Sequence, residues 1–127
     1  TGAKTKLIGV VSAHATAYLD SFRARKLLEA PVTTQLADGM ACRVPDAESL
    51  EVVLREADDV VAVTDTEVAE AMRILFADTH NVAEGAGAAS LAAAIQQRAR
   101  WQGKSVGTTL SGGNVDSAVM AGVLAGA

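Results

Sequence analysis

The chain is short of cysteine, aromatic residues and clustered positive charge, and each shortage closes off a class of protein. Its single cysteine, Cys42, excludes an internal disulfide and suits a reducing compartment, here taken as the cytoplasm. Its simplest role is that of a small buried hydrophobe. No apolar run approaches the roughly 20 residues of a membrane span. The first residues carry no apolar core ahead of a cleavage site, so a signal peptide is not expected. The 11 Lys and Arg are interspersed among 15 Asp and Glu for a net charge of -4, and no basic patch offers itself to nucleic acid. No His, Cys or acid lies within three residues of His14, which argues against a local metal cluster. Aromatics make up 3% of a chain that is 50% hydrophobic. Alanine supplies much of the difference, which implies a core of closely approached helices and sheet.

What is present has the size of one domain. Three largely apolar runs without polar alternation, Leu7–Val11 (entered from Lys6), 60–63 and 106–110, predict strands over 6–11, 60–63 and 106–110, buried on both faces of a parallel sheet. Helical spacing predicts helices over 15–29, 47–57, 66–78, 84–101 and 115–125. Asp46 is the expected N-cap of the second, and Thr64 with Glu67 spells a capping box for the third. Between the first two helices, 31–43 has neither period and reads as a long loop with a turn at Asp38-Gly39. The alternation predicts an α/β architecture, a parallel sheet covered by helices in a three-layer arrangement.

Two stretches carry more than fold. In Ser105–Asn114 a strand runs into Ser111-Gly112-Gly113 and then Asn114, an expected helix N-cap. Ligands in open α/β sheets sit beyond the carboxyl ends of strands. Glycines there let backbone approach where a Cβ would collide, although such a turn also occurs as a purely structural feature. In Asn81–Ala89, Gly85 and Gly87 fall in the first turns of an Ala-rich helix. Each costs roughly 1 kcal/mol relative to alanine, and the expected compensation is close approach of a neighbouring element or a ligand. Glu84 stands beside that small-residue surface, either as a site carboxylate or as a partner of the helix dipole.

Taken together, Thr33-Thr34-Gln35-Leu36-Ala37-Asp38-Gly39-Met40-Ala41, Asn81–Ala89 and Leu110-Ser111-Gly112-Gly113-Asn114-Val115-Asp116 resemble, in order and spacing, the C-terminal part of the threonine/serine dehydratases. These are fold-type II pyridoxal-phosphate enzymes (tryptophan synthase β-like). The resemblance implies that residues 1–127 are the C-terminal portion of the catalytic domain. It implies that Ser111 hydrogen-bonds the pyridine nitrogen of the cofactor, where a neutral hydroxyl favours β-elimination over transamination. Gly112 and Gly113 would let the ring lie close, with Glu84 and the Gly39 backbone near the cofactor and Asp38 on the substrate side. The family's Schiff-base lysine and its phosphate-cradling glycine loop lie upstream of these motifs. Lys4, Lys6, Lys26 and Lys104 stand in the wrong contexts to replace that lysine, so no catalytic residue is assigned in the chain. The cation site of many relatives begins with a glutamate where this chain has Val11, so no metal is expected. An end near Ala127 would favour the short, unregulated type.

The implied activity of the parent is conversion of L-threonine, or L-serine, to a 2-oxo acid and ammonia. Serine racemase and a hydroxyectoine-utilisation dehydratase are alternatives on the same fold, and a non-catalytic structural or interaction fragment is the alternative outside it. The 127 residues alone are expected to be inactive and to lack bound pyridoxal 5'-phosphate. They are expected to form a homo-oligomer or to self-associate through an exposed sheet edge.

Overall fold

The structure, a computed structural model, describes residues 4–126. Strand β1 (Ile8–Ser12) and strand β2 (Asp59–Val63) pair in parallel, from Ile8 opposite Asp59 to Ser12 opposite Val63. The ladder continues past both ends. Ala13 N–H donates to the Val63 carbonyl at 2.7 Å, and Asp58 N–H donates to the Leu7 carbonyl at 2.9 Å. These two strands are the first two apolar runs of the sequence. The apolar character has the expected cause: Val60, Val61 and Val63 are all buried.

The third run is a correction. Residues 106–110 form no strand, and most of the segment is exposed. A strand exists only as one side of a hydrogen-bonded pair, and among the described residues no other strand pairs with this one. The sheet described is therefore two-stranded rather than three-stranded. One side chain stands in for a neighbour: the Ser90 hydroxyl donates to the Thr109 carbonyl at 2.7 Å and accepts from the Thr109 N–H at 3.1 Å.

Among the described residues five helices accompany the pair: α1 (Ala17–Ala24), α2 (Ala47–Glu56), α3 (Asp65–Thr79), α4 (Gly85–Gln96) and α5 (Ser117–Ala125). A 3-10 turn, Arg98–Trp101, extends α4. The expected caps of α2 and α3 are in place. Asp46 accepts from Ser49 N–H, and Thr64 and Glu67 form the reciprocal capping box. Helix α1 stops well short of residue 29. Arg25 turns into the left-handed region at φ 56°, and the Ser21 hydroxyl, bonded to both N–H and C=O of Leu28, folds the following loop back. The N-cap of α5 is Asp116, which accepts from Ala118 N–H, and not Asn114. Cys42 is half-buried, its thiol facing the Val44 carbonyl at 3.2 Å, rather than a fully buried hydrophobe.

The core lies where α4 packs on the sheet and α3 packs against α4, with α5 beside α3. Ala69 and Ala71 of α3 and Ala88, Ala89, Ala92 and Ala93 of α4 are buried around Val63, Val68 and Met72. Methyl groups in these positions let helix axes approach closely, which is how a chain with few aromatics fills its interior.

Candidate functional site

The loop from Pro31 to Arg43 is held near the end of β1 by backbone, Thr33 N–H donating to the His14 carbonyl at 2.8 Å, and at the start of α3 by one carboxylate. Asp65, the first residue of α3, accepts from the Thr34 hydroxyl at 2.7 Å and from Gln35 N–H at 2.8 Å. The Thr34 oxygen in turn accepts from Ala37 N–H at 3.0 Å. Thr34 and Ala37 are buried by this arrangement, and the next three residues, Asp38–Met40, wind into a 3-10 turn. The loop is thus ordered up to Asp38 and Gly39 by hydrogen bonds that leave those two residues exposed.

Glycines then bring three segments together. A Cβ on Gly85 would collide with the carbonyl oxygen of Leu36 and stand 3.1 Å from the Cα of Ala37. On Gly87 it would strike the carbonyl of Gly112 and lie 3.0 Å from its nitrogen. On Gly112 it would meet the Glu84 carboxylate, on Gly113 the Val82 carbonyl at 2.6 Å, and on Gly39 the Ala86 methyl at 2.8 Å. The close approach expected of Gly85 and Gly87 is therefore approach to neighbouring backbone. Glu84 N–H completes the junction by donating to the Gly112 carbonyl at 3.0 Å. Loop 33–41, the start of α4 and the Ser-Gly-Gly-Asn turn, distant in sequence, form one body.

At their junction lies a shallow cleft of about 150 Å³. Leu36, Asp38 and Gly39 line it from the loop, Glu84 and Ala86 from α4, and Asn114, Val115 and Asp116 from the third segment. Ser111 is not part of the cleft wall; it sits exposed on the turn beside it, and its hydroxyl has no hydrogen-bond partner among the described residues. Glu84 is the N-cap residue of α4, but its carboxylate makes no capping hydrogen bond and turns towards Gly112. Three carboxylates, Asp38, Glu84 and Asp116, face the cleft and no basic side chain does. A larger groove of about 210 Å³ runs between Glu67, Glu70, Gln96 and Arg98, away from all three motifs. There the Glu67 carboxylate is occupied by Thr64 and Gln96.

Among the described residues no group of three or more His, Cys, Asp or Glu is placed to hold a metal ion. Two positioning residues escaped the sequence reading. In the sequence Asp65 reads as one of the acids at a helix start, and Ser90 as one small residue in an Ala-rich helix. The only sequence signal for either is a hydrogen-bonding side chain where an apolar or helix-forming one would serve.

The chain matches the family described as "Pyridoxal-phosphate dependent enzyme" over residues 1–112. It is 38% identical over 112 residues to an L-threonine ammonia-lyase of Geobacter sulfurreducens, covering 87% of this chain and 28% of that protein. The solved structure of maize serine racemase superposes with a TM-score of 0.80 at 28% identity, over 95% of this chain and 39% of the other. The processed form of threonine deaminase isoform 2 from Solanum lycopersicum gives a TM-score of 0.86 over 96% of this chain and 35% of that one. At 24% identity that likeness speaks for the fold alone. The chain spans about a third of the length of the relatives it matches. Its α/β architecture is that of the fold-type II enzymes, and by the match over most of its length the chain belongs to the pyridoxal-phosphate dependent enzyme family.

Proposed function

We propose that residues 1–127 supply the C-terminal part of the catalytic domain of an L-threonine (or L-serine) ammonia-lyase, and that the cleft is one wall of its pyridoxal 5'-phosphate site. The observation that carries this reading is the convergence of all three sequence motifs on a single junction, with a free hydroxyl, Ser111, beside it. The residues fit the ring side of the cofactor. An uncharged hydroxyl can donate to a pyridine nitrogen without holding a proton on it, and the Gly39, Gly112 and Gly113 backbones present flat surface without side chains. They do not fit the phosphate: three carboxylates would repel a dianion, so the phosphate is held by residues outside this cleft. When bound, the cofactor supplies the electron sink for loss of the substrate's α-proton.

The chain's own part is to orient and tune. Ser111 would hold the ring nitrogen. Glu84, at the positive end of α4 and against Gly112, would lie near the cofactor, and Asp38 would border the substrate. Water leaves across the Cα–Cβ bond of L-threonine. A second water hydrolyses the released imine, so the net products are 2-oxobutanoate and ammonia. The activated lysine that such chemistry needs belongs to another part of the protein. This chain by itself is inactive and holds no cofactor in this reading. A cytoplasmic location is part of this reading, supported by the lone cysteine and the metabolic relatives. Val106 and Leu110, exposed on a segment that pairs with no strand among the described residues, favour association with a second copy.

Serine racemisation is the second reading, favoured by the maize structure. The two separate on the intact protein carrying Ser111→Ala or Ser111→Asp. Elimination predicts that Ser111→Ala loses roughly 1–3 kcal/mol of transition-state stabilisation with cofactor still bound, and that Ser111→Asp diverts turnover towards transamination or racemisation. Unchanged rates and product ratios in both variants would refute Ser111 as the nitrogen's partner. D-serine as the main product of the unmodified protein would refute the lyase.

A further inference from the structure

Ser90 is the only hydroxyl residue of α4, half-buried in the middle of a run of alanines. Its one oxygen serves both backbone groups of Thr109, donating to the carbonyl at 2.7 Å and accepting from the N–H at 3.1 Å. Three residues on, the Gly112 carbonyl accepts from Glu84 N–H at 3.0 Å, and the Cα of Gly87 abuts Gly112. Ser111 therefore lies between two anchors, and both belong to one helix. Along that helix Glu84 and Ser90 are separated by a rise of ~9 Å. The three residues from Thr109 to Gly112 reach only ~10–11 Å at full extension. The span that carries Ser111 is short and held to the helix at both ends.

Resting on the site reading proposed above, we infer that Ser90 is a positioning residue for the cofactor ring. Through its two hydrogen bonds to Thr109 it fixes the direction in which Ser111 presents its hydroxyl. Ser90 touches neither ring nor substrate and acts only through Thr109. A role in helix stability would predict the opposite response to Ser90→Ala, since alanine is the better helix former.

The test is a double-mutant cycle in the intact protein: Ser90→Ala, Ser111→Ala and both, with Ser90→Thr as the conservative variant. Pyridoxal phosphate binding is titrated by absorbance and fluorescence, and amide hydrogen exchange of 108–113 is followed without cofactor. Loss of one such bond corresponds to about tenfold. The expectation is about tenfold faster exchange at Thr109 and about tenfold weaker cofactor binding in Ser90→Ala. The double variant should be no more than about twofold worse than the weaker single, and Ser90→Thr should restore most of both. Additive losses in the cycle would overturn the inference, as would wild-type exchange in Ser90→Ala. Failure of the unmodified protein to bind pyridoxal phosphate at all would instead overturn the reading of the site. The exchange rates would then still decide whether Ser90 tethers the turn.

Discussion

Gly87→Ala sets two effects of opposite sign against each other. In the interior of α4, alanine in place of glycine gains about 1 kcal/mol from helix propensity. The added methyl, however, would strike the Gly112 carbonyl oxygen, with the Gly112 nitrogen at 3.0 Å and carbonyl carbon at 3.2 Å. All three are backbone atoms, so no side-chain rotation relieves the contact, and overpacking of this kind costs typically 1–3 kcal/mol. Because Glu84 N–H also holds Gly112 to the start of α4, the expected result lies in the upper half of that range. The net loss should be about 1–2 kcal/mol, accompanied by displacement of the Ser111 turn. Gly107→Ala is the control, since a Cβ there meets nothing within 4 Å; it should stay within about 0.5 kcal/mol of the parent. Urea denaturation and cofactor titration of the intact protein measure both consequences. A Gly87→Ala protein that gains the full propensity term and binds pyridoxal phosphate like the parent would refute the claim that main-chain contact requires this glycine.

Further outcomes follow from other parts of the structure. Gly122→Ala, in α5 with open space around the added methyl, should raise stability by about 0.5–1 kcal/mol in the same urea assay. Asp65→Ala removes the acceptor for Thr34 and Gln35; amides 35–40 should exchange at least about tenfold faster, with a rise in substrate KM exceeding the fall in kcat. Burial acts to raise the Glu67 pKa, but hydrogen bonds from Thr64 N–H, the Gln96 amide and the Thr64 hydroxyl outweigh it and hold it below the ordinary value. Its stabilising contribution is therefore complete above about pH 4.3 and is lost as pH falls through the lower folded-state value. Stability curves of parent and Glu67→Gln should converge in acid and separate near neutrality. Residues 1–127 produced alone, with added pyridoxal phosphate, should release no 2-oxobutanoate from L-threonine above the free-cofactor rate.

Local chemistry was legible where it was decided locally. Asp46 caps α2 and Thr64 boxes with Glu67 because both ends of each interaction lie within three residues. The parallel pair could be read because Ile8–Val11 and Val60–Val63 are continuously apolar, a signature of strands covered on both faces. The same signature misled at 106–110, where composition describes what the segment can pair with and not whether a partner is at hand. Helix α1 ran too long in the reading because Arg25 offers no glycine to announce its left-handed turn. At the site, the glycines signalled close approach but not its object. The two hydrogen bonds that set its shape, Thr34 to Asp65 and Ser90 to Thr109, span 31 and 19 residues and leave no periodic trace.

The glycine junction also determines which mutations evolution can repair. Where the crowding atom is a side chain, a second substitution can make room: Gly39→Ala meets only the Ala86 methyl, so Ala86→Gly is a natural suppressor. Gly112 faces the Glu84 carboxylate, which can swing aside or be shortened. Gly85, Gly87 and Gly113 face carbonyl oxygens of Leu36, Gly112 and Val82, and no codon change removes a carbonyl. Lineages that lose one of these three glycines have no compensating path except reversion. A scan of all substitutions should therefore show two kinds of intolerance within one small surface, one open to second-site rescue and one closed to it.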